Sequence, residues 1–121
     1  MIILSIKAEI GKIRPSSHTE LINMNLQDML TSSAKAVKLL KAVSNERRLL
    51  ILCYLLEGEL SVGDLNQKLE LSQSALSQHL ALLRKHKLVK TRKAAQTVYY
   101  SINSKEAEEL IALMHKLYCS E

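Results

Sequence analysis

The chain has 121 residues and a formal net charge of +5, so it is large enough for one domain with a modest core and it favours an acidic partner. Its apolar residues are aliphatic, with no Phe or Trp, which argues against a fold that stacks single-stranded bases on aromatic platforms. No run approaches the roughly 18 apolar residues of a membrane span, and no export signal is evident. Two cysteines in such a chain point to the cytoplasm, where structural disulfides are rare.

Residues 1–23 differ from the rest of the chain. They contain Gly11, Pro15 and a polar stretch from Ser16 to His18, and they show no sustained hydrophobic period. We interpret them as a flexible N-terminal extension. Met24 then opens a compact domain that runs to residue 121.

Four helices are predicted in the first part of this domain. The first carries a stripe with the helical period of 3.6, formed by Leu26, Met29, Leu30, Ser33, Val37 and Leu40. The second has Ser44 as its N-cap and a buried side of Leu49, Leu52, Cys53 and Leu56, and it ends near Gly58. Ser61 and Asp64 resemble a capping box that opens the short third helix. Ser72 caps the fourth, whose inward residues are Leu76, Leu80 and Leu83.

After Leu88 the hydrophobic period falls to two, which predicts a β-hairpin from residues 89–93 and 96–102. The Ala94-Ala95 tip lacks the Gly or Asn of a two-residue turn, so a longer loop is expected. Ser104 then caps a last helix with Glu106 in its first turn and a stripe of Ala107, Leu110, Leu113, Met114 and Leu117. The predicted fold is mainly α with a β-hairpin wing, in the order α-α-α-α-β-β-α, which is a winged helix-turn-helix.

The fourth helix has the composition of a DNA-reading helix. Its outward positions are Gln73, Ser74, Ser77, Gln78, Ala81, Arg84 and Lys85, and no acidic residue occurs between Glu70 and Glu106. Gln bonds adenine bidentately, Ser serves bases or phosphates, and the second helix of such a pair enters the major groove. Arg92, Lys93 and Gln96, placed at the hairpin tip, would reach the DNA backbone or minor groove. A solvated basic face and a solubilising turn are the alternatives.

Other features narrow the function. No catalytic set, phosphate loop or zinc spacing is present, so we expect no enzyme, no metal site and no cofactor. The stripes of the first and last helices are more than one small domain can cover, which predicts a homodimer on an inverted-repeat operator in double-stranded DNA. A protein-interaction module that never touches DNA is the competing class. Cys53 and Cys119, judged on their own, are packing residues.

Three segments carry a family resemblance: residues 59–65 (ELSVGDL), 71–84 (LSQSALSQHLALLR) and 98–102 (VYYSI). They resemble the ArsR/SmtB repressors over about residues 25–120. Residues 45–53 and the Leu117-Tyr118-Cys119 ending are most similar to the group that contains HlyU, BigR and SqrR, and Met24 to Gln27 resembles a HlyU start. The resemblance implies a winged-helix transcriptional regulator.

The resemblance also changes the reading of the cysteines. In that group a cysteine of the second helix and one of the last helix react with persulfides or oxidants and become linked, and Cys53 and Cys119 occupy those places. The family's thiolate metal site needs Cys-x-Cys where this chain has Ser61-Val62-Gly63, and the last helix offers His115 without the zinc pattern. A metal-responsive repressor is therefore the weaker alternative to thiol sensing.

Overall fold

The computed structural model describes residues 25–119, and the extension predicted for residues 1–23 lies outside them. It has helices α1 (Leu26–Val43), α2 (Glu46–Leu55), α3 (Val62–Leu69), α4 (Gln73–Lys85) and α5 (Lys105–Tyr118), and strands β1 (Leu60–Ser61), β2 (Val89–Ala94) and β3 (Thr97–Ile102). The chain divides into two compact units at Ala36, within α1, and the second unit holds every other element. The predicted helices and hairpin are confirmed, with one added strand.

Helical stripes build the core of the second unit. The largest side chains that are completely buried are Ile51, Leu52, Leu65, Leu76, Leu80, Leu83 and Ile111. The three inward leucines predicted for α4 are thus confirmed. The predicted stripes of α2 and α5 were incomplete, because Ile51, Leu55 and Ile111 are buried while Leu49, Cys53 and Leu110 are only partly so. Burial of each such aliphatic side chain contributes about 1.5–3 kcal/mol.

Side-chain caps fix the helix ends. The N-cap of α2 is Asn45 rather than Ser44, and its Oδ1 accepts the N–H groups of Arg47 and Arg48 at 3.0 and 3.1 Å. Ser44 belongs instead to the end of α1, where its N–H bonds the carbonyl of Lys41. The capping box of Ser61 and Asp64 is confirmed, as are the caps Ser72 and Ser104.

The turn between α3 and α4 sets their relative orientation. Glu70 adopts the left-handed conformation with φ of 53°, and its N–H bonds the carbonyl of Asn66. The Asn66 side-chain amide in turn donates to the carbonyl of Leu71 at 2.6 Å. Ser72 then caps α4 by accepting the N–H of Ala75. A side chain of one helix therefore holds the backbone that leads into the next.

The wing is a three-stranded antiparallel sheet in the order β1-β3-β2. Strand β1 was not predicted, because a strand of two residues is too short to show a period. Leu60 pairs with Tyr100 and Ser61 with Tyr99, while Arg92 pairs with Tyr99 from the other side. Leu60, Tyr100 and Ile102 pack on the core. The alternation of a strand places Tyr99 and Arg92 on the opposite, outer face.

The turn at the wing tip is shorter than expected. Ala94 pairs with Thr97, so only Ala95 and Gln96 connect the strands. Ala95 has a φ of 55° and Gln96 does not share that positive sign, as in a type II′ turn. An alanine thus takes a position that favours glycine, and the expectation of a longer loop was wrong.

Candidate nucleic-acid interface

Helix α4 presents its predicted reading residues to solvent. With Leu76, Leu80 and Leu83 buried, the helical period places the exposed side chains of Gln73, Ser74, Ser77, Gln78, Arg84 and Lys85 away from the core. Gln78, Ser74 and Lys85 lie opposite the buried leucines. Gln73, Ser77 and Arg84 lie along the flank nearer the wing.

Two clefts join this flank to other elements. The first, of about 490 Å³, brings Gln73 of α4 together with Gln96 of the wing turn. Its other lining residues come from the start of α3 and from β3: Ser61, Val62, Gly63, Asn66, Thr97 and Val98. Hydroxyl and amide groups dominate this rim, and such groups bond phosphates as well as bases. Two residues predicted separately, one per motif, therefore share one cleft.

The second cleft, of about 380 Å³, is more basic. Ser77, Arg84 and Lys85 of α4 line it together with Tyr100 of β3, and Val62, Leu80 and Ala81 complete it. Arg84 and Lys85 stand in the last turn of α4, where the helix dipole favours positive charge. A polyanion that follows this flank would meet cations at the end of the helix and neutral polar groups at its start.

The sequence placed Arg92 and Lys93 at the hairpin tip, and the structure corrects this. The tip is Ala95 and Gln96, and both basic residues lie within β2. Alternation along the strand directs Arg92 and Lys93 to opposite faces of the wing. The two side chains therefore do not form one basic patch.

Arg92 already has an anionic partner. Its Nη2 lies 2.7 Å from Oε1 of Glu59, its Nε lies 3.0 Å from Oε2, and its guanidinium stacks over the Tyr99 ring at 4.5 Å from the centroid. The hydrogen bonds from Arg92 lower the pKa of Glu59 below its usual value. Sequence reasoning missed Glu59, because only the pairing of β1 with β3 brings it beside the wing.

His79 flanks α4 on the side of α2. It is partly buried, and burial, followed by the charges of Arg48 and Arg47, lowers its pKa. Arg48 itself donates from Nε to the carbonyl of Ala42 at 2.6 Å, which closes the end of α1. Arg48 thus has a structural role that its place at the start of an amphipathic helix did not reveal.

The two cysteines are both free and lie on packed helices. Helix α2, which carries the half-buried Cys53, packs on α5, and the exposed Cys119 follows the last residue of α5. Burial raises the pKa of Cys53, and the nearby Cys119 thiol raises it further. The structure therefore brings the two predicted thiols into electrostatic range of each other.

Two searches of the described residues found nothing. Between residues 25 and 119, no three His, Cys, Asp or Glu side chains are grouped so that they could hold a metal ion. Over the same part of the chain, no helix combines the length and apolar character needed to cross a membrane.

Comparison with known proteins decides the family. The pattern described as "Bacterial regulatory protein, arsR family" matches residues 45–91, which contain α2, α3 and α4. The transcriptional activator HlyU of Vibrio cholerae is 66% identical over 96 residues, which cover 79% of this chain and 89% of that protein. The chain belongs to the arsR family. It is a DNA-binding transcriptional regulator of the HlyU and BigR type.

Solved structures agree with the fold. Reduced HlyU from Vibrio cholerae N16961 matches with a TM-score of 0.76 at 64% identity, and the match covers 78% of this chain and all of that one. The biofilm growth-associated repressor of Xylella fastidiosa is 33% identical over 82% of this chain and 87% of its own length. Mb0332 of Mycobacterium bovis, described as a homodimeric winged helix-turn-helix DNA-binding domain, matches with a TM-score of 0.66 at 25% identity over 78% of this chain and 87% of that one.

Proposed function

We propose that this protein regulates transcription in the cytoplasm by sequence-specific binding of double-stranded DNA through α4 and the wing. The supporting observation is the surface of α4, where Gln73, Ser74, Ser77 and Gln78 are exposed ahead of Arg84 and Lys85. Polar groups at the start of the helix would read base edges in the major groove. The basic end of the helix, Lys93 and Gln96 would contact phosphates, which fix the register without specifying sequence.

The active form is a homodimer in this proposal. Helix α1 exposes Leu26 (70%), Met29, Leu30, Val37 and Leu40, and α5 exposes Leu117 and Tyr118 (81%). Apolar stripes of this length mark association surfaces on soluble proteins. The homodimeric state of Mb0332 supports the same assembly here. A two-fold dimer would present two copies of α4 to an inverted repeat.

The regulatory input is oxidation of the Cys53 and Cys119 thiols. Cys119 is exposed and meets a reagent first, whereas Cys53 is sheltered and follows as the resolving thiol. With a peroxide, the Cys119 thiolate takes one oxygen to become a sulfenic acid, and Cys53 then displaces water to form the disulfide. A persulfide donor would leave extra sulfur in the link. The description of one neighbour as reduced HlyU names a redox state for that protein and supports this input.

Selection from a random duplex library tests the DNA function. The reduced protein should enrich an inverted repeat, and fluorescence anisotropy on the recovered duplex should show affinity that falls steeply as salt rises. The relatives comprise both an activator and a repressor, so the sign of regulation needs transcription from a promoter that carries the recovered repeat. Recovery of no common sequence, with equal affinity for all duplexes, would reject sequence-specific binding.

A further inference from the structure

The ion pair between Glu59 and Arg92 crosses the whole width of the wing sheet. Glu59 directly precedes β1 at one edge, Arg92 stands in β2 at the other edge, and Tyr99 of β3 lies between them. Both oxygens of the Glu59 carboxylate accept from the Arg92 guanidinium, which rests on the Tyr99 ring. The contact thus fixes the direction of a long and otherwise flexible side chain.

That direction is away from the wing tip. Leu60, next to Glu59, pairs with Tyr100, whereas Arg92 pairs with Tyr99. Because Tyr99 is nearer than Tyr100 to the turn at Ala95 and Gln96, Glu59 draws the guanidinium back toward the base of the wing. An arginine in β2 that was free of Glu59 would extend toward the tip, where a wing meets the DNA backbone.

The pair is also weak enough to yield to a stronger anion. The side chains of Arg92 and Glu59 are 56% and 34% exposed. Measured exposed ion pairs restrain their members by a factor of about five or less. A DNA phosphate offers the guanidinium the same paired oxygens and adds the entropy of released counterions.

We propose that Glu59 is a latch on Arg92 that competes with DNA phosphate for the guanidinium and so lowers the affinity of the wing for DNA. The proposal rests on the DNA-binding function proposed above. In the free protein Arg92 is held on the outer face of the sheet. In the complex it exchanges the carboxylate for a phosphate, and Glu59 sets the cost of that exchange.

The test is fluorescence anisotropy of duplex DNA with Glu59→Gln, which keeps the shape of the side chain and removes its charge. Relative to wild type, this variant should bind up to about fivefold more tightly per subunit. Its plot of log affinity against log salt should steepen by about 0.9 per subunit, the contribution of one more phosphate contact. Glu57→Gln, which removes an exposed acid two positions away, serves as the control for net charge.

The Arg92 background separates release of this side chain from a general charge effect. In Arg92→Gln protein, the further change Glu59→Gln should produce no more gain than Glu57→Gln does. A gain that persists without Arg92, or an affinity of Glu59→Gln at or below that of wild type, overturns the latch. Melting temperatures within a few degrees of wild type show that each variant is folded. Wild-type protein that binds no duplex would instead overturn the proposed function, and the latch with it.

Discussion

The side-chain amide of Asn66 donates a hydrogen bond to the backbone carbonyl of Leu71 at 2.6 Å. Asn66 lies in α3, whereas Leu71 lies in the turn that leads to α4. Without this bond the partly buried carbonyl would lose its partner, and the left-handed Glu70 beside it would be held only by its own N–H bond to Asn66. One asparagine therefore connects the two helices of the DNA-binding motif.

Replacement of Asn66 should destabilise the domain. Asn66→Ala leaves the Leu71 carbonyl without its donor, at a cost of about 1–3 kcal/mol, and the better helix propensity of alanine returns roughly half a kcal/mol. Gln67→Ala, at the exposed neighbouring position of α3, should stay within about 0.5 kcal/mol of wild type. Urea unfolding of the three proteins measures both effects. Equal stability of the two variants would show that the bond contributes nothing.

Gln78 should contribute to base recognition. It is exposed opposite the buried leucines of α4, and a bidentate contact with adenine discriminates by about 1–3 kcal/mol. Gln78→Ala should therefore weaken binding to the selected duplex and leave binding to unrelated duplex nearly unchanged. The matched control is Gln27→Ala on α1, which should bind both as wild type does. Equal losses on both duplexes, measured by anisotropy at fixed salt, would argue against base reading by Gln78.

Sequence reasoning recovered what local rules determine. The inward leucines of α4, the caps at Ser61, Ser72 and Ser104, and the exposed reading face all follow from periodicity and capping chemistry within a few residues. It failed where tertiary contacts decide. Strand β1 exists only because β3 pairs with it, and that pairing is what brings Glu59 to Arg92 across the sheet.

The hairpin turn failed for a different reason. Its residues, Ala95 and Gln96, carry no turn signal, yet the register of β2 and β3 leaves room for only two residues. The sheet therefore imposes a positive φ of 55° on Ala95, and local preference yields to strand pairing.

His79 should make stability depend on pH. Its pKa is lowered in the folded protein by burial and by Arg48 and Arg47, so between that value and the unfolded value of about 6.5 the unfolded chain binds more protons. Stability should consequently fall as pH drops below about 6.5, and it should level off only below the folded pKa. His79→Gln should lose this part of the slope, whereas His86→Gln, at the exposed end of α4, should keep it. Unfolding free energies at several pH values decide this, and identical slopes for wild type and His79→Gln would contradict it.

The cysteines should differ in their reactivity. Burial, together with the neighbouring Cys119 thiol, raises the pKa of Cys53 and keeps it protonated at neutral pH, and the thiolate is the reactive form. Limiting iodoacetamide should therefore label the exposed Cys119 before Cys53, as peptide mass spectrometry would show. Preferential labelling of Cys53 would contradict the order of events proposed for oxidation.

Oxidation should then link the pair and weaken DNA binding. A disulfide requires the Cα atoms to approach to about 4.4–6.8 Å, and the link would tie α5 to α2, beside the DNA-binding motif. Wild-type protein treated with peroxide should lose operator affinity and recover it with reductant. Cys53→Ser and Cys119→Ser should each bind DNA and fail to respond. Wild type that forms the link and still binds equally well would identify the thiols as packing residues.

The spacing of the operator tests the central claim most directly, because it requires DNA reading by α4 and two-fold symmetry together. In a dimer the two recognition helices enter successive major grooves about 34–36 Å apart. Insertion of about five base pairs, half a helical turn, between the half-sites would place them on opposite faces of the duplex. Anisotropy should then show the affinity of the reduced protein falling to its level on unrelated DNA. Equal affinity for the original and the lengthened duplex would contradict a dimer that reads both half-sites with α4.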